Sequence, residues 1–286
     1  MKSIIDNQNE WANKHNKPCR KGYLGCYQEN LFLPLVGEDY CSFKKGNGNE
    51  LEDKNGEKAK MRALISSSAL CVNFFLYLKQ NGLLPSFLKS TGIHFEKVIK
   101  GEFEKKLETG ASSAKANIDF YIVCDNQVIG VESKFTEHYS NNHAPLKQSY
   151  LEKKNEWRLK DKYSKPFPHL ANWINEWKID EYSYKGNTYT GRFSPFEYLD
   201  VAQLIKHLFA LNNDASKPYI LIYIHYDIPC NEINKHKDEI DTFDSYLKED
   251  NVNFISISYQ SIFSKLKEEL HSHTEYLSYM KSRYSL

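Results

Sequence analysis

Three residues offer the clearest chemistry in this chain: Asp119, Glu132 and Lys134, all within Ile118 to Phe135, IDFYIVCDNQVIGVESKF. Two apolar, β-branched runs meet there at Asp125-Asn126, a dipeptide suited to a tight hairpin turn because both residues tolerate left-handed backbone angles. A two-residue loop puts Cys124 opposite Gln127 and Asp119 opposite Glu132, with Lys134 on the same face two residues further along. A three-residue loop would instead set Asp119 opposite Ser133, whereas a four-residue loop would keep the Asp119–Glu132 pair. In the first register one face carries Asp119, Tyr121, Val123, Val128, Gly130, Glu132 and Lys134. The other carries Ile118, Phe120, Ile122, Cys124, Ile129, Val131 and Phe135, and Gly130 leaves room for the Tyr121 ring.

Both faces are mostly apolar, so the hairpin belongs inside a covered sheet. Two carboxylates in such a place shift toward neutrality unless a cation compensates them. A divalent metal is one compensation and Lys134 a second. Oxygen ligands without a thiolate or histidine cluster suit Mg²⁺, or Mn²⁺ in its place, better than zinc. Such a metal could polarise a phosphoryl oxygen and acidify a bound water, with Lys134 orienting that water. The alternative is an ion-pair cluster with no catalytic role. The Glu-x-Lys spacing does not decide between them, because the chain contains five such triplets, at Glu52, Glu104, Glu132, Glu152 and Glu176. Only the one at Glu132 lies in an apolar strand facing an aspartate.

The surrounding elements follow from periodicity. Residues 1–60 form an N-terminal irregular extension, with a mobile polar loop over Lys44 to Lys60. A buried helix covers Met61 to Gln80, with Pro85 as a stop and a short helix over Phe87 to Lys97. Glu102-Phe103-Glu104 starts a strand beside the hairpin. A polar and aromatic insertion spans 137–193. Ser194-Pro195-Phe196-Glu197 has a capping-box pattern with proline at the first helical position, so a helix runs from there to about Leu211. Pro218 to Tyr226 reads as a strand buried on both faces, Ile233 to Leu247 as a helix, Val252 to Tyr259 as a strand and Ser261 to Leu270 as a last helix. The expected fold class is α/β (α+β), a mixed central sheet with helices on both faces, with residues 61–286 as its core.

Composition restricts the function classes. The chain has 286 residues, a hydrophobic share of 41% and a charged share of 26%, as expected of a globular protein. A net charge of +1 means that any nucleic-acid contact must use a local patch. No apolar run is long enough to span a bilayer and no signal-peptide pattern opens the chain, so a cytoplasmic protein without a membrane is expected. The six cysteines lack CxxC spacing and are expected reduced.

Asp119 followed by Glu132-Ser133-Lys134 resembles the PD-(D/E)XK nuclease superfamily, of restriction-endonuclease-like fold. The segments Ile65 to Phe75, Gly130 to Glu137 and Gln203 to His207 look like a bacterial subgroup of it, in the same order. The resemblance implies a metal-dependent phosphodiesterase acting on DNA. Asp119 and Glu132 would bind Mg²⁺, the Ser133 backbone carbonyl would complete the shell, and Lys134 would assist the attacking water. The family's first half-motif is often Pro-Asp, where this chain has Ile118-Asp119. Many members add an upstream acid. Met61 to Gln80 contains none, which leaves Glu104 first and Glu102 second.

Gln203 and His207 share a helix face, and either could touch the scissile phosphate or order the metal water. The alternative is a polar pair on the helix surface. Lys153, Lys154 and Arg158, in the basic middle of the insertion near Trp157, offer a DNA surface. A solvated helical hairpin packing its tryptophans on the core is the competing reading. The acidic Glu232, Asp238, Glu239, Asp241 and Asp244 should face away from DNA. His138 and His143 are expected as flexible surface histidines, and Ser66-Ser67-Ser68 as an aid to helix packing. Cutting both strands would call for a homodimer. A non-catalytic nucleic-acid-binding or assembly module that retains the fold is the alternative function.

Overall fold

The computed structural model describes residues 2–45, 49–111, 115–139, 143–153, 157–214, 216–230 and 232–286. Five strands form one mixed sheet: β1 (Val98–Glu108), β2 (Lys115–Cys124), β3 (Val128–Lys134), β4 (Tyr219–His225) and β5 (Phe254–Ser258), in the order β5-β4-β3-β2-β1. β1, β2 and β3 pair antiparallel, and β3, β4 and β5 pair parallel. Helix α1 (Ser67–Gln80) covers one face and α2 (Val201–Asp214) the other, while α3 (Glu232–Glu249) makes the crossover from β4 to β5. The fold is α+β, a mixed sheet between helical layers. No described helix is long and apolar enough to cross a membrane.

The hairpin adopts the two-residue turn. Tyr121 pairs with Gly130 and Phe120 with Val131, and the Cys124 N–H donates to the Gln127 carbonyl at 2.9 Å. Past that point the sheet departs from simple alternation. The β1–β2 ladder runs Glu102 to Tyr121 and Phe103 to Phe120, then resumes at Lys105 to Ile118. Glu104, at the skipped rung with Asp119, has a φ of 51°, a left-handed value that costs a non-glycine residue about 1–3 kcal/mol. Both strands change face there. Phe103 and Phe120 pack with α1, whereas Leu107 and Ile118 pack with α2. Ile118 therefore does not share a face with Phe120, as unbroken alternation requires. Gly130 is needed for α2 rather than for the Tyr121 ring, because a Cβ there would meet Leu211 Cδ1 at 3.0 Å.

Helix starts are displaced from their sequence signals. α1 begins at Ser67, because Ser66 Oγ accepts the Ala69 N–H and caps it. Pro85 belongs to the first turn of the next helix, Leu84–Ser90. α2 begins only at Val201, although Ser194-Pro195 carries a start pattern. The Glu239 carboxylate accepts the N–H groups of Glu197, Tyr198 and Leu199 at 2.7, 2.9 and 2.8 Å, which holds that segment as a loop. Glu239 is thus a buried anchor, not a solvated charge. The N-terminal stretch contains helices Lys2–Lys14 and Gly37–Lys44, and its Leu31, Phe43 and Leu51 join the core around α1. A final helix, Thr274–Tyr284, buries Tyr276, Met280 and Tyr284. All six cysteines are free thiols.

The insertion buries Trp173 and Trp177 and adds a three-stranded sheet in which hairpin strands Lys178–Tyr184 and Asn187–Phe193 pair. It is not a helical hairpin alone.

Removing the Glu239 anchor leaves three backbone donors without their acceptor. Glu239→Ala should lower unfolding stability by about 3 kcal/mol in a denaturant titration, and an unchanged midpoint would show that the loop before α2 holds itself.

Candidate active site

Glu132 is 1% exposed, at the centre of β3 beside Tyr223 of β4. Two nitrogen groups approach it. Lys134 Nζ lies 2.8 Å from its Oε1, and His207 Nδ1 lies 3.3 Å from its Oε2. Neither carboxylate oxygen accepts a well-formed hydrogen bond. Lys134 Nζ also donates to Gln203 Oε1 at 2.8 Å. Gln203 and His207 therefore both point inward from one face of α2, and His207 is wholly buried. Such a residue cannot be a nucleic-acid contact or half of a surface pair, and that expectation is corrected. Its place is behind Glu132.

Asp119 extends the cluster from β2. Its Oδ2 accepts the Ser133 N–H at 2.8 Å, just beyond the last backbone rung of the hairpin. Ser133 Oγ is within 2.7 Å of the Tyr259 hydroxyl, which fixes the strand from its other side. Glu104, turned by its unusual backbone, is the second neighbour, and Asn117 Nδ2 donates to its Oε2. Glu50 is the third. It accepts from Ser68 Oγ at 2.7 Å and pairs with Lys60 at 2.8 Å. The described part of the polar stretch 44–60 is thus tied to the core through Glu50.

Glu102 stands apart, paired with Lys100 and Lys105 at 3.1 Å each, so the second-choice upstream acid is a surface ion pair. The serines do more than ease packing. Ser67 Oγ donates to Glu137 and accepts the Phe135 N–H, while Glu137 Oε2 accepts the N–H groups of Phe135 and Thr136. Together they set the bend that follows Lys134.

The electrostatics follow from crowding. Burial first, then the Glu132 and Glu104 carboxylates, push the Asp119 pKa well above the usual range, against the pull of Lys134 and the Ser133 N–H. Burial also pushes Glu104 up to about 7, with Glu50 and Glu132 adding to the effect and the Asn117 hydrogen bond opposing it. Burial alone would lower Lys134, but Glu132, Asp119 and Glu137 outweigh it and keep the ammonium charged. Burial, then Lys206 and Lys134, hold His207 well below its ordinary value, so a neutral imidazole faces Glu132. A buried carboxylate without directed hydrogen bonds, beside acids that resist ionising together, is a donor set that fits a hard divalent cation. Asp119, Glu132 and Glu104 do not reach the closeness of a preformed ligand group. Among the described residues, the only three or more His, Cys, Asp or Glu side chains with ligand atoms within 4.8 Å of one another are His138, His225 and His236.

A cleft of ≈ 770 Å³ opens beside the cluster. Its lining includes the acids Glu50, Glu104 and Asp200, the amides Asn117 and Gln203, the lysines Lys60, Lys106, Lys115, Lys147 and Lys206, and Tyr150 and Tyr184. Lys147 and Tyr184 come from the insertion, with Lys147 Nζ 5.2 Å from the Tyr184 ring centre. Lys153 and Arg158 are exposed but do not line the cleft, and Lys154 lies outside the described residues. His138 is buried rather than on the surface, whereas His143 is half-buried with Nε2 2.9 Å from the Glu197 carbonyl. Sequence reasoning missed Glu50, Glu137, Lys206 and the histidine cluster. Lys206 alone carried a local signal, being next to the helix face of Gln203 and His207.

Over residues 5–285 the chain matches the family described as restriction endonuclease associating with ARP. No curated protein and no solved structure matches it.

Glu104 takes up a proton between its ordinary pKa and about 7, so the folded state loses stability as pH rises through that window. In chelator-containing buffer, Glu104→Gln should melt above wild type at pH 8, and the gap should close toward pH 4.5. Equal melting temperatures throughout the range would show that Glu104 is not held near neutrality.

Proposed function

The chain belongs to the family described as restriction endonuclease associating with ARP, and on that premise we propose that it is a metal-dependent deoxyribonuclease of the PD-(D/E)XK type. The observation that carries this reading is Glu132, 1% exposed and held between Lys134 and His207, with Gln203, which holds Lys134, and the neighbouring Glu104 lining a cleft that also carries five lysines. A pure ion-pair cluster would satisfy its acids with the cations present. Here the acids outnumber the close cations, and Asp119 and Glu104 resist ionisation.

Asp119 and Glu132 would hold Mg²⁺, or Mn²⁺ in its place, with the Ser133 carbonyl and Glu104 as further oxygen donors. When bound, the cation would polarise the scissile phosphate and lower the pKa of the attacking water. The chain's own groups do the rest. Lys134, fixed by Gln203 and kept protonated by Glu132, presents an ammonium to the water and to charge developing on phosphate oxygens. His207, neutral and buried, excludes solvent behind Glu132 and limits its rotation. Lys60, Lys106, Lys115, Lys147 and Lys206 would receive the DNA backbone, and Tyr184, half-exposed, would offer a ring for stacking. Two copies would bring two such sites to a duplex, so a homodimer is the form suited to cutting both strands.

Plasmid and linear DNA incubated with Mg²⁺ or Mn²⁺ should be cleaved by wild type, with EDTA abolishing the reaction. Lys134→Ala should lower the rate by about 10²–10³-fold while the fold is kept. Identical trace activity in wild type and Lys134→Ala would remove the catalytic assignment and leave a binding module.

A further inference from the structure

A second cluster lies one strand away from the acids. His138 sits in the short turn after β3, His225 ends β4 opposite Lys134, and His236 lies near the start of α3. They are 2%, 5% and 0% exposed. One nitrogen from each falls within 4.8 Å of the others, and the ring centres are 4.5, 5.1 and 5.9 Å apart. These distances surround a common point.

The nitrogens are poorly used by the protein. Nδ1 of His225 and of His236 makes no well-formed hydrogen bond, and His138 has only a contact with the Tyr226 backbone. The contacts that exist orient rings rather than consume lone pairs. His236 Nε2 is 3.1 Å from the Tyr223 hydroxyl, leaving Nδ1 without a partner, and His225 Nδ1 is 3.3 Å from Asp227 Oδ1. Metal-binding histidines show this arrangement, one nitrogen held by a carboxylate or hydroxyl and the other left to the metal. Asp227 Oδ1 is itself buried without a hydrogen bond. Packing alone explains one buried imidazole readily. It does not explain three that converge with unsatisfied nitrogens.

We propose that His138, His225 and His236 form a transition-metal site of the zinc class, separate from the acidic cleft, with Asp227 as the carboxylate that orients the His225 ring. Neutral imidazoles are soft enough for Zn²⁺ and poor ligands for Mg²⁺. Burial, followed by the neighbouring histidines, keeps His138 and His236 uncharged, the form that ligates. Tetrahedral zinc with bonds of about 2.0–2.1 Å brings its nitrogens to about 3.3 Å from one another, so the rings close inward on binding. The site joins the turn after β3, the end of β4 and the start of α3. It thereby fastens the strand end that carries Lys134 to the helix that carries Glu239, and its role is structural.

The test uses the untagged 286-residue chain, stripped with chelator and titrated separately with Zn²⁺ and Co²⁺. One equivalent of zinc per chain by elemental analysis after gel filtration, the visible absorption of tetrahedral nitrogen-ligated cobalt, and a zinc-dependent rise in melting temperature are expected. His225→Gln and His236→Gln should each lose the cobalt band, and Asp119→Asn should keep it. Absence of the band and of stoichiometric zinc in wild type overturns the proposal, as does undiminished binding in the histidine variants. The wild-type cobalt spectrum needs no variant and decides the matter even if the substitutions unfold the chain.

Discussion

A carboxylate 1% exposed in the middle of a mixed sheet is the constraint around which this protein is built. An isolated buried anion costs several kcal/mol even after the protein relaxes. Glu132 is therefore tolerated only if something fixes compensating groups against it. Lys134 comes from the same strand, and Gln203 and His207 come from α2. α2 in turn takes its start from the loop that Glu239 holds through three backbone N–H groups. Residues more than a hundred positions apart in the chain thus serve one carboxylate.

The irregular backbone at Glu104 belongs to the same design. Regular alternation through β1 and β2 would keep Ile118 with Phe120 on the α1 face. The face change at Glu104 and Asp119 lets the strands finish their apolar packing on both layers while two acids gather beside Glu132. Asp119 then reaches the Ser133 N–H, and Glu104 reaches the cleft with Glu50. The cleft beside this site is lined by Glu50, Glu104 and Asp200 together with five lysines. A polyanion held by the lysines would meet the acids only through an intervening cation, which links the local electrostatics to the proposed chemistry.

Much of this is legible in the amino-acid order, and the reasons are local. The apolar alternation and the Asp125-Asn126 turn point to the hairpin register that the fold adopts, and the four-residue spacing of Gln203 and His207 puts both on one face of α2. Tertiary contacts decide what cannot be read. Ser194-Pro195 looks like a helix start until Glu239, distant in sequence, captures the following N–H groups. Glu50 lies in a polar stretch and becomes part of the site only because Ser68 and Lys60 hold it there. His138, His225 and His236 have no motif spacing, and only the parallel pairing of β3 with β4 and the return of α3 bring them together. The left-handed backbone of Glu104 has no sequence signal at all.

The central claim is that the Asp119–Glu132 face is made to hold a hard divalent cation. Titrating Mn²⁺ into the chelator-stripped protein, followed by electron paramagnetic resonance of the free ion, addresses it without relying on catalysis. Wild type should remove Mn²⁺ from solution in a saturable manner, competed by Mg²⁺. Asp119→Asn and Glu132→Gln should each weaken that binding by at least about tenfold, equivalent to about 1.4 kcal/mol. Mn²⁺ binding that is absent from wild type, or equally strong in both variants, would contradict the account.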